Sequence, residues 1–362
     1  MEDRKQHFSR PTMEKPPSLL NLTIIAVLLG LIAGFGGYLL GQNVLPSTNA
    51  NYINLSQWTR GGNQAGQPLI DLAQKSAGSI AGVYRPVAAV SSVGGPLFSQ
   101  DDFLGSAVVV TSDGWLMSTD QVIKNKQVVI ALGDKLYEPL DLKRDLFSGA
   151  VFVKISANFL SPIDFQLTDE VKTGESLFTG IDSVHSLEDT FYTTVLANAH
   201  YVPEKYLSTE KIDYYLQLGE VQPANILAAP FFNLQGNLMG LAYKLDQETL
   251  LVPSEYLKQA VKNMLNSTER VKFGLSYVDL DNNSGFTKKG VLVYNPSVSP
   301  VTFTLPAGKA GIKAGDLILS VNNNLVSGSQ SLTSIIQNYR VGEKIIIKIQ
   351  RNSQTQDIEV QL

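Results

Sequence analysis

Histidine, the commonest general acid–base residue, occurs three times in this chain, at His7, His185 and His200. None stands between the first and the second of them. There is no cysteine, which removes a thiolate nucleophile, thiolate metal ligation and disulfides together. A hydroxyl nucleophile needs a neighbouring base to take its proton, yet no serine occurs between Thr209 and Pro253. HExxH, paired-acid and glycine-rich phosphate motifs are absent as well, so neither a metal nor a cofactor is expected. His185 and His200 read as solvated loop or barrel-surface residues without chemistry.

The elements that would position a site are short. Glycine and proline are plentiful, Val, Ile and Leu come in brief runs, and long amphipathic helical patterns are scarce, so the fold should be mainly β. A length of 362 residues suggests two folded units plus extras. The net charge of −4, with no basic block in the folded part, argues against nucleic acid as a partner.

From Pro16 to Thr59 there is no Asp, Glu, Lys or Arg, and Leu19 to Leu40 is almost continuously apolar. That length suits a hydrocarbon core of roughly 30 Å, so residues 19–41 are expected to form one transmembrane helix after a cytoplasmic tail at 1–18. Arg4, Lys5, Arg10 and Lys15 precede the span and the first cation after it is Arg60; the positive-inside bias places the main body outside the cytoplasm. A cleaved signal peptide is the rival, but the stretch is long for one and no small-x-small site follows closely. Residues 42–68, rich in Asn, Ser, Gly and Gln, read as a tether.

From Ala77 to Leu251, short strand-like runs alternate with turn residues at intervals suited to an antiparallel barrel or sandwich. The run Gly105 to Ser118 reads as a hairpin turning at Ser112-Asp113-Gly114. Tyr256, Leu257, Ala260, Val261, Met264 and Leu265 recur at helical spacing, with Ser254 as the expected cap.

On these residues the chain resembles the HtrA/Deg family of trypsin-like serine proteases, a double β-barrel followed by a PDZ domain. The family's general-base histidine falls on Gln121 in Thr119-Asp120-Gln121-Val122, and its orienting aspartate on Gly149 in the stretch Ser148 to Ile155. The tract from Leu216 to Gly240, aligned through Pro230 and Asn233 to Gly236, puts the nucleophile position on Leu227. A carboxamide takes no proton near neutral pH, and an isobutyl group offers no lone pair to an acyl carbon. Loop glycines are replaced by Asn225 and Ala228; a backbone that needs positive φ for its oxyanion donors tolerates Asn better than Ala. The resemblance therefore implies a degenerate member, a pseudoprotease. Losing the serine or histidine of such a triad costs about six orders of magnitude in turnover.

After a polar break at Asn266 to Glu269, the tract Leu305 to Asn322 looks like the family's PDZ signature. Leu317 to Val321 should be a buried strand, Leu332, Ile335, Ile336 and Tyr339 a helix, and Lys344 to Arg351 another strand. The resemblance further implies a carboxylate loop at Lys272-Phe273-Gly274-Leu275. The amides of Phe273, Gly274 and Leu275 would hold a peptide's terminal carboxylate, Ser276 and Tyr277 would offer a strand edge, and Leu332 with Ile335 or Ile336 would line the apolar pocket. The alternative is that these apolar residues are core.

The expected architecture is a trypsin-like domain at 69–267 and a PDZ domain at 268–362. The expected function is a membrane-anchored, non-catalytic binder of C-terminal peptides or unfolded proteins, acting as sensor, scaffold or regulator, as a homotrimer or with an active paralogue. The competing class is a serine endopeptidase of envelope protein quality control with a non-standard or partner-supplied site. A purely structural role in assembly is the third.

Overall fold

The computed structural model describes residues 72–362, apart from 74, 77, 91–94, 167–170, 182–189, 220–225, 282–286 and 327–329. The apolar run at 19–41, the tether, His7, His185 and Asn225 lie outside the described residues. No helix among the described residues is long and apolar enough to cross a membrane.

Three sheets carry the fold. The first is antiparallel and ordered Lys135–Tyr137, Val129–Leu132, Ile80–Tyr84, Phe103–Val109, Trp115–Thr119, Ala150–Lys154, Asp141–Asp145. Its central hairpin is the one expected from Gly105 to Ser118. Gly114 sits at φ +101, where a Cβ would meet the Ile155 carbonyl at 2.6 Å, so only glycine suits the turn. Consecutive apolar residues are explained by burial on both faces: Leu116 enters the core of this sheet while Met117 enters the junction with the second.

The second sheet runs Asp164–Phe165, Asn237–Leu245, Pro230–Asn233, Ser176–Ile181, Thr190–Tyr201, Tyr215–Leu218, Glu248–Pro253, and closes because Asn237–Leu245 also pairs with Glu248–Pro253. Closure removes free strand edges. Phe178, Phe232, Leu238 and Leu241 from this sheet pack with Ile80, Val108 and Phe152 from the first, so the two halves share one apolar junction.

The helix Ser254–Asn266 covers that junction with Leu257, Ala260, Val261 and Met264. Its capping differs from expectation. Pro253 is the cap residue and Ser254 is already helical; the Ser254 hydroxyl instead donates to the carbonyl of Gln166, 3.0 Å away. A buried carbonyl in need of a donor outweighs a local cap that solvent can replace. Leu265 also departs from the buried face and stays 53% exposed.

The third sheet is ordered Leu207–Ser208, Ser276–Asp279, Val291–Val293, Leu317–Val321, Lys344–Arg351, Gln354–Gln361. Alternation is clean in Lys344–Arg351, where Ile345, Ile347 and Ile349 are fully buried and Ile346 is exposed. The helix Leu332–Gln337 lies over the same core. One strand of this sheet, Leu207–Ser208, comes from the preceding domain, from the connection between Thr190–Tyr201 and Tyr215–Leu218.

Candidate functional site

Gln121 follows the strand Trp115–Thr119 and lies against the second sheet. Its Nε2 donates to the Lys244 carbonyl at 2.6 Å and its Oε1 accepts from the Lys244 amide at 2.8 Å. A carboxamide has one donor side and one acceptor side, as a peptide unit does, so the side chain pairs with the backbone much as a strand neighbour would. The position expected to hold a base is thus a staple between the two halves.

Gly149 has φ +70, and a Cβ there would stand 3.3 Å from Asp120 Oδ1 and 3.4 Å from the Tyr243 ring. The acid four residues earlier, Asp145, accepts from Ser148 Oγ at 2.5 Å and is gripped by Arg270 through Nε at 3.0 Å and Nη2 at 2.7 Å. Both side chains of that pair are 11% exposed. The forked, largely desolvated geometry is the strong form of a carboxylate–guanidinium pair.

Leu227 is half-buried and packs on the core of the first sheet. Its carbonyl accepts from the Ser106 amide at 3.0 Å. Ala228 adopts φ +55, a left-handed conformation that costs a residue with a Cβ about 1 kcal/mol. Sequence reasoning expected alanine to be poorly tolerated in such a backbone, yet the loop keeps it; the Ala228 amide donates to Ala242 O at 2.9 Å while Ala242 N returns a bond to Ala229 O, also at 2.9 Å. Two sheet bonds offset the strain, and they leave the Ala228 amide facing the sheet.

His200 is not the solvated residue expected. It is half-buried, with its ring stacked on Tyr214 at 4.1 Å and 19°. Burial holds its pKa below the ordinary value against the opposing pull of Asp213 and Asp279.

Of the eight residues expected at a peptide groove, Ser276 and Tyr277 lie in the third sheet, Phe273 to Leu275 just before that strand, and Leu332, Ile335 and Ile336 on the helix Leu332–Gln337. Phe273, Leu275, Tyr277, Leu332, Ile335 and Ile336 belong to one buried cluster, so the helix directs both isoleucines inward. Gly274 has φ +91, and a Cβ would stand 2.7 Å from that of Leu305. The loop amides are not free. Phe273 N and Gly274 N donate to Glu210 Oε1 at 2.9 and 2.8 Å, and Leu275 N donates to Thr209 Oγ1 at 3.1 Å. Ser276 and Tyr277 pair in register with Ser208 and Leu207.

The sequence profile of the PDZ domain family matches residues 271–362. A probable periplasmic serine endoprotease DegP-like protein from Marinomonas sp. (strain MWYL1) is 24% identical over 279 residues, covering 74% of this chain and 58% of that protein. Its counterpart from Hahella chejuensis (strain KCTC 2396) is 25% identical over 282 residues, covering 71% and 56%. This chain therefore spans little more than half the length of the curated relatives it matches. Among solved structures, the HtrA-type protease AlgW with decapeptide superposes at TM-score 0.56 and 17% identity, covering 81% of this chain and 97% of that one. The chain is HtrA/DegP-like. It has the trypsin-like fold of HtrA-type proteins, with a PDZ domain at its C-terminal side.

In this HtrA-like frame, side chains that sequence reasoning missed tie the PDZ domain to the barrels. Asp213, 2% exposed, accepts from the hydroxyls of Tyr256 and Tyr277, each at 2.6 Å. Burial first, and the Asp213 charge second, hold both phenols well above their usual pKa, so both stay protonated donors. Tyr215 nearby is pushed up to about 12, again mainly by burial. Arg270 closes the link from the other side, donating to Tyr256 O at 2.8 Å besides gripping Asp145. Nothing local announced these roles, because the partners lie from 14 to 125 residues apart in sequence.

Proposed function

We propose that this protein is a membrane-anchored, catalytically silent HtrA-like protein that binds peptides or unfolded polypeptide ends through its PDZ domain on the extracytoplasmic side. The observation that carries the first part is the chemistry at Gln121, Gly149 and Leu227. The amide of Gln121 is engaged on both sides by Lys244, and the Leu227 side chain packs into apolar core. Neither group can transfer a proton or attack a carbonyl. Binding is supported by the loop amides of Phe273 and Gly274 converging on a carboxylate while that of Leu275 meets the Thr209 hydroxyl. Anchoring is supported by the uncharged apolar run from Leu19 to Leu40. The HtrA-like fold favours an assembly through the barrels, either of identical chains or with an active relative, in which this chain would sense or regulate.

The competing function is a serine endopeptidase, favoured by the names of the curated relatives, which are serine endoproteases. It would need catalytic groups from outside the three aligned positions. Detergent-solubilised full chain incubated with casein and with a fluorophosphonate probe separates the two. Neither cleavage nor labelling is expected. Labelling that disappears on Leu227→Asp would establish the endopeptidase and end the silent-protein proposal.

A further inference from the structure

The PDZ groove of this chain already holds a ligand-like segment, and that segment is its own. We propose that residues 206–210, Tyr-Leu-Ser-Thr-Glu, are a tethered stand-in for a C-terminal peptide, and that a real ligand must displace them. The proposal rests on the peptide-binding function above and names how that same groove is regulated.

Four features of a strand-added peptide are reproduced. Leu207–Ser208 extends the sheet antiparallel to Ser276–Asp279. The Thr209 amide donates to Leu275 O at 3.0 Å, the place of the last residue of a bound peptide. A carboxylate oxygen, Glu210 Oε1, accepts from two loop amides. The Leu207 side chain, 6% exposed, joins the apolar cluster of Phe273, Leu275, Tyr277, Leu332 and Ile336.

The one departure is chemical. The chain does not end at Thr209, so its carbonyl accepts from Gln337 Nε2 at 3.2 Å, and the next side chain supplies the acid that a terminus would supply. Thr209 Oγ1 takes the third amide, from Leu275. An internal sequence can fill this groove only if it offers a carboxylate immediately after the terminal-residue position, and Glu210 does so.

Two consequences follow. The segment specifies the ligand chemistry: a polypeptide ending in a free carboxylate with an apolar side chain two residues before its end. It also couples binding to the barrels. The segment belongs to the connection between two barrel strands, and Asp213, three residues further on, bridges Tyr256 of the barrel helix to Tyr277 of the PDZ strand. Ligand entry would therefore loosen the tie between the domains.

The test uses a fluorescein-labelled pentapeptide reproducing residues 205–209 with a free carboxylate, the same peptide amidated, and detergent-solubilised full chain. A tethered competitor acts at high effective concentration, so Glu210→Ala should bind the free-acid peptide about tenfold or more tighter than the unaltered chain. Glu210→Gln, which keeps the side-chain shape, should gain less, and the amidated peptide should bind none of them measurably. Amide hydrogen exchange gives a reading without ligand: the amides at 273–275 should be slow in the unaltered chain and fast in Glu210→Ala. Equal peptide affinity in all three proteins would overturn the competition while leaving PDZ binding intact. Binding to none of them would overturn both. Fast exchange at 273–275 in the unaltered chain would overturn the tether whatever the peptide does.

Discussion

Two loops of this fold, the one around Leu227 and the one at residues 272–275, meet their surroundings in opposite ways. Around Leu227 the contacts are made by side chains: Gln121 pairs with the Lys244 backbone and Leu227 packs on core. At residues 272–275 they are made by backbone amides and rest on one glycine, with Gly274 at φ +91 and two amides pointing at one carboxylate oxygen. A site built from side chains can change by substitution with the fold intact, since a Gln or a Leu finds other partners. Backbone recognition is harder to lose, because the geometry that presents the amides also closes the core over Phe273 and Leu275.

Arg270 joins the PDZ loop to the first sheet, since it grips Asp145 close to Gly149 and stands two residues before the carboxylate loop. If that grip holds the PDZ domain on the barrels, Arg270→Ala leaves Asp145 largely desolvated without its partner. The expected loss is about 3 kcal/mol, read from urea denaturation of the full chain. A loss below about 0.5 kcal/mol, the level of an ordinary surface pair, would break the comparison by showing the two regions to be independent. Gln121→Ala should cost less, about 1 kcal/mol for the lost pairing with Lys244, and should leave peptide affinity unchanged. A change in peptide affinity would mean that the region around Gln121 communicates with the PDZ domain.

The smallest effect concerns His200. Its folded pKa is depressed by burial below the ordinary 6.5, so the unfolded chain takes up the proton first as pH falls. The stabilisation is fully present above about 6.5 and is lost as pH drops through the folded value. Urea midpoints measured from pH 7.5 down to 5 should decline in the unaltered chain, and less so in His200→Phe, which keeps the stack on Tyr214. A steeper decline in the variant would refute the assignment.

Much was legible from local pattern. The hairpin at Gly105 to Ser118, the strands Leu317–Val321 and Lys344–Arg351 and the closing helix follow from periods of two and 3.6 residues and from glycines whose backbone demands them. The proposed loss of the base, acid and nucleophile rests on residue type at the aligned positions Gln121, Gly149 and Leu227 alone. The cap at Ser254 was misjudged because a carbonyl 88 residues away, that of Gln166, competes for its hydroxyl.

What the tertiary structure alone decided is who meets whom. Leu207 to Glu210 carry no motif, and the sequence contains many acids that could follow a threonine. Their place on the loop amides arises only when the barrel closes and the PDZ sheet docks beside it. Asp145 with Arg270, and Asp213 between Tyr256 and Tyr277, are settled in the same way. Local sequence determines the conformation and chemical capacity of each segment; long-range contacts depend on burying the apolar faces of separate domains against one another, and that outcome is not encoded at any one position.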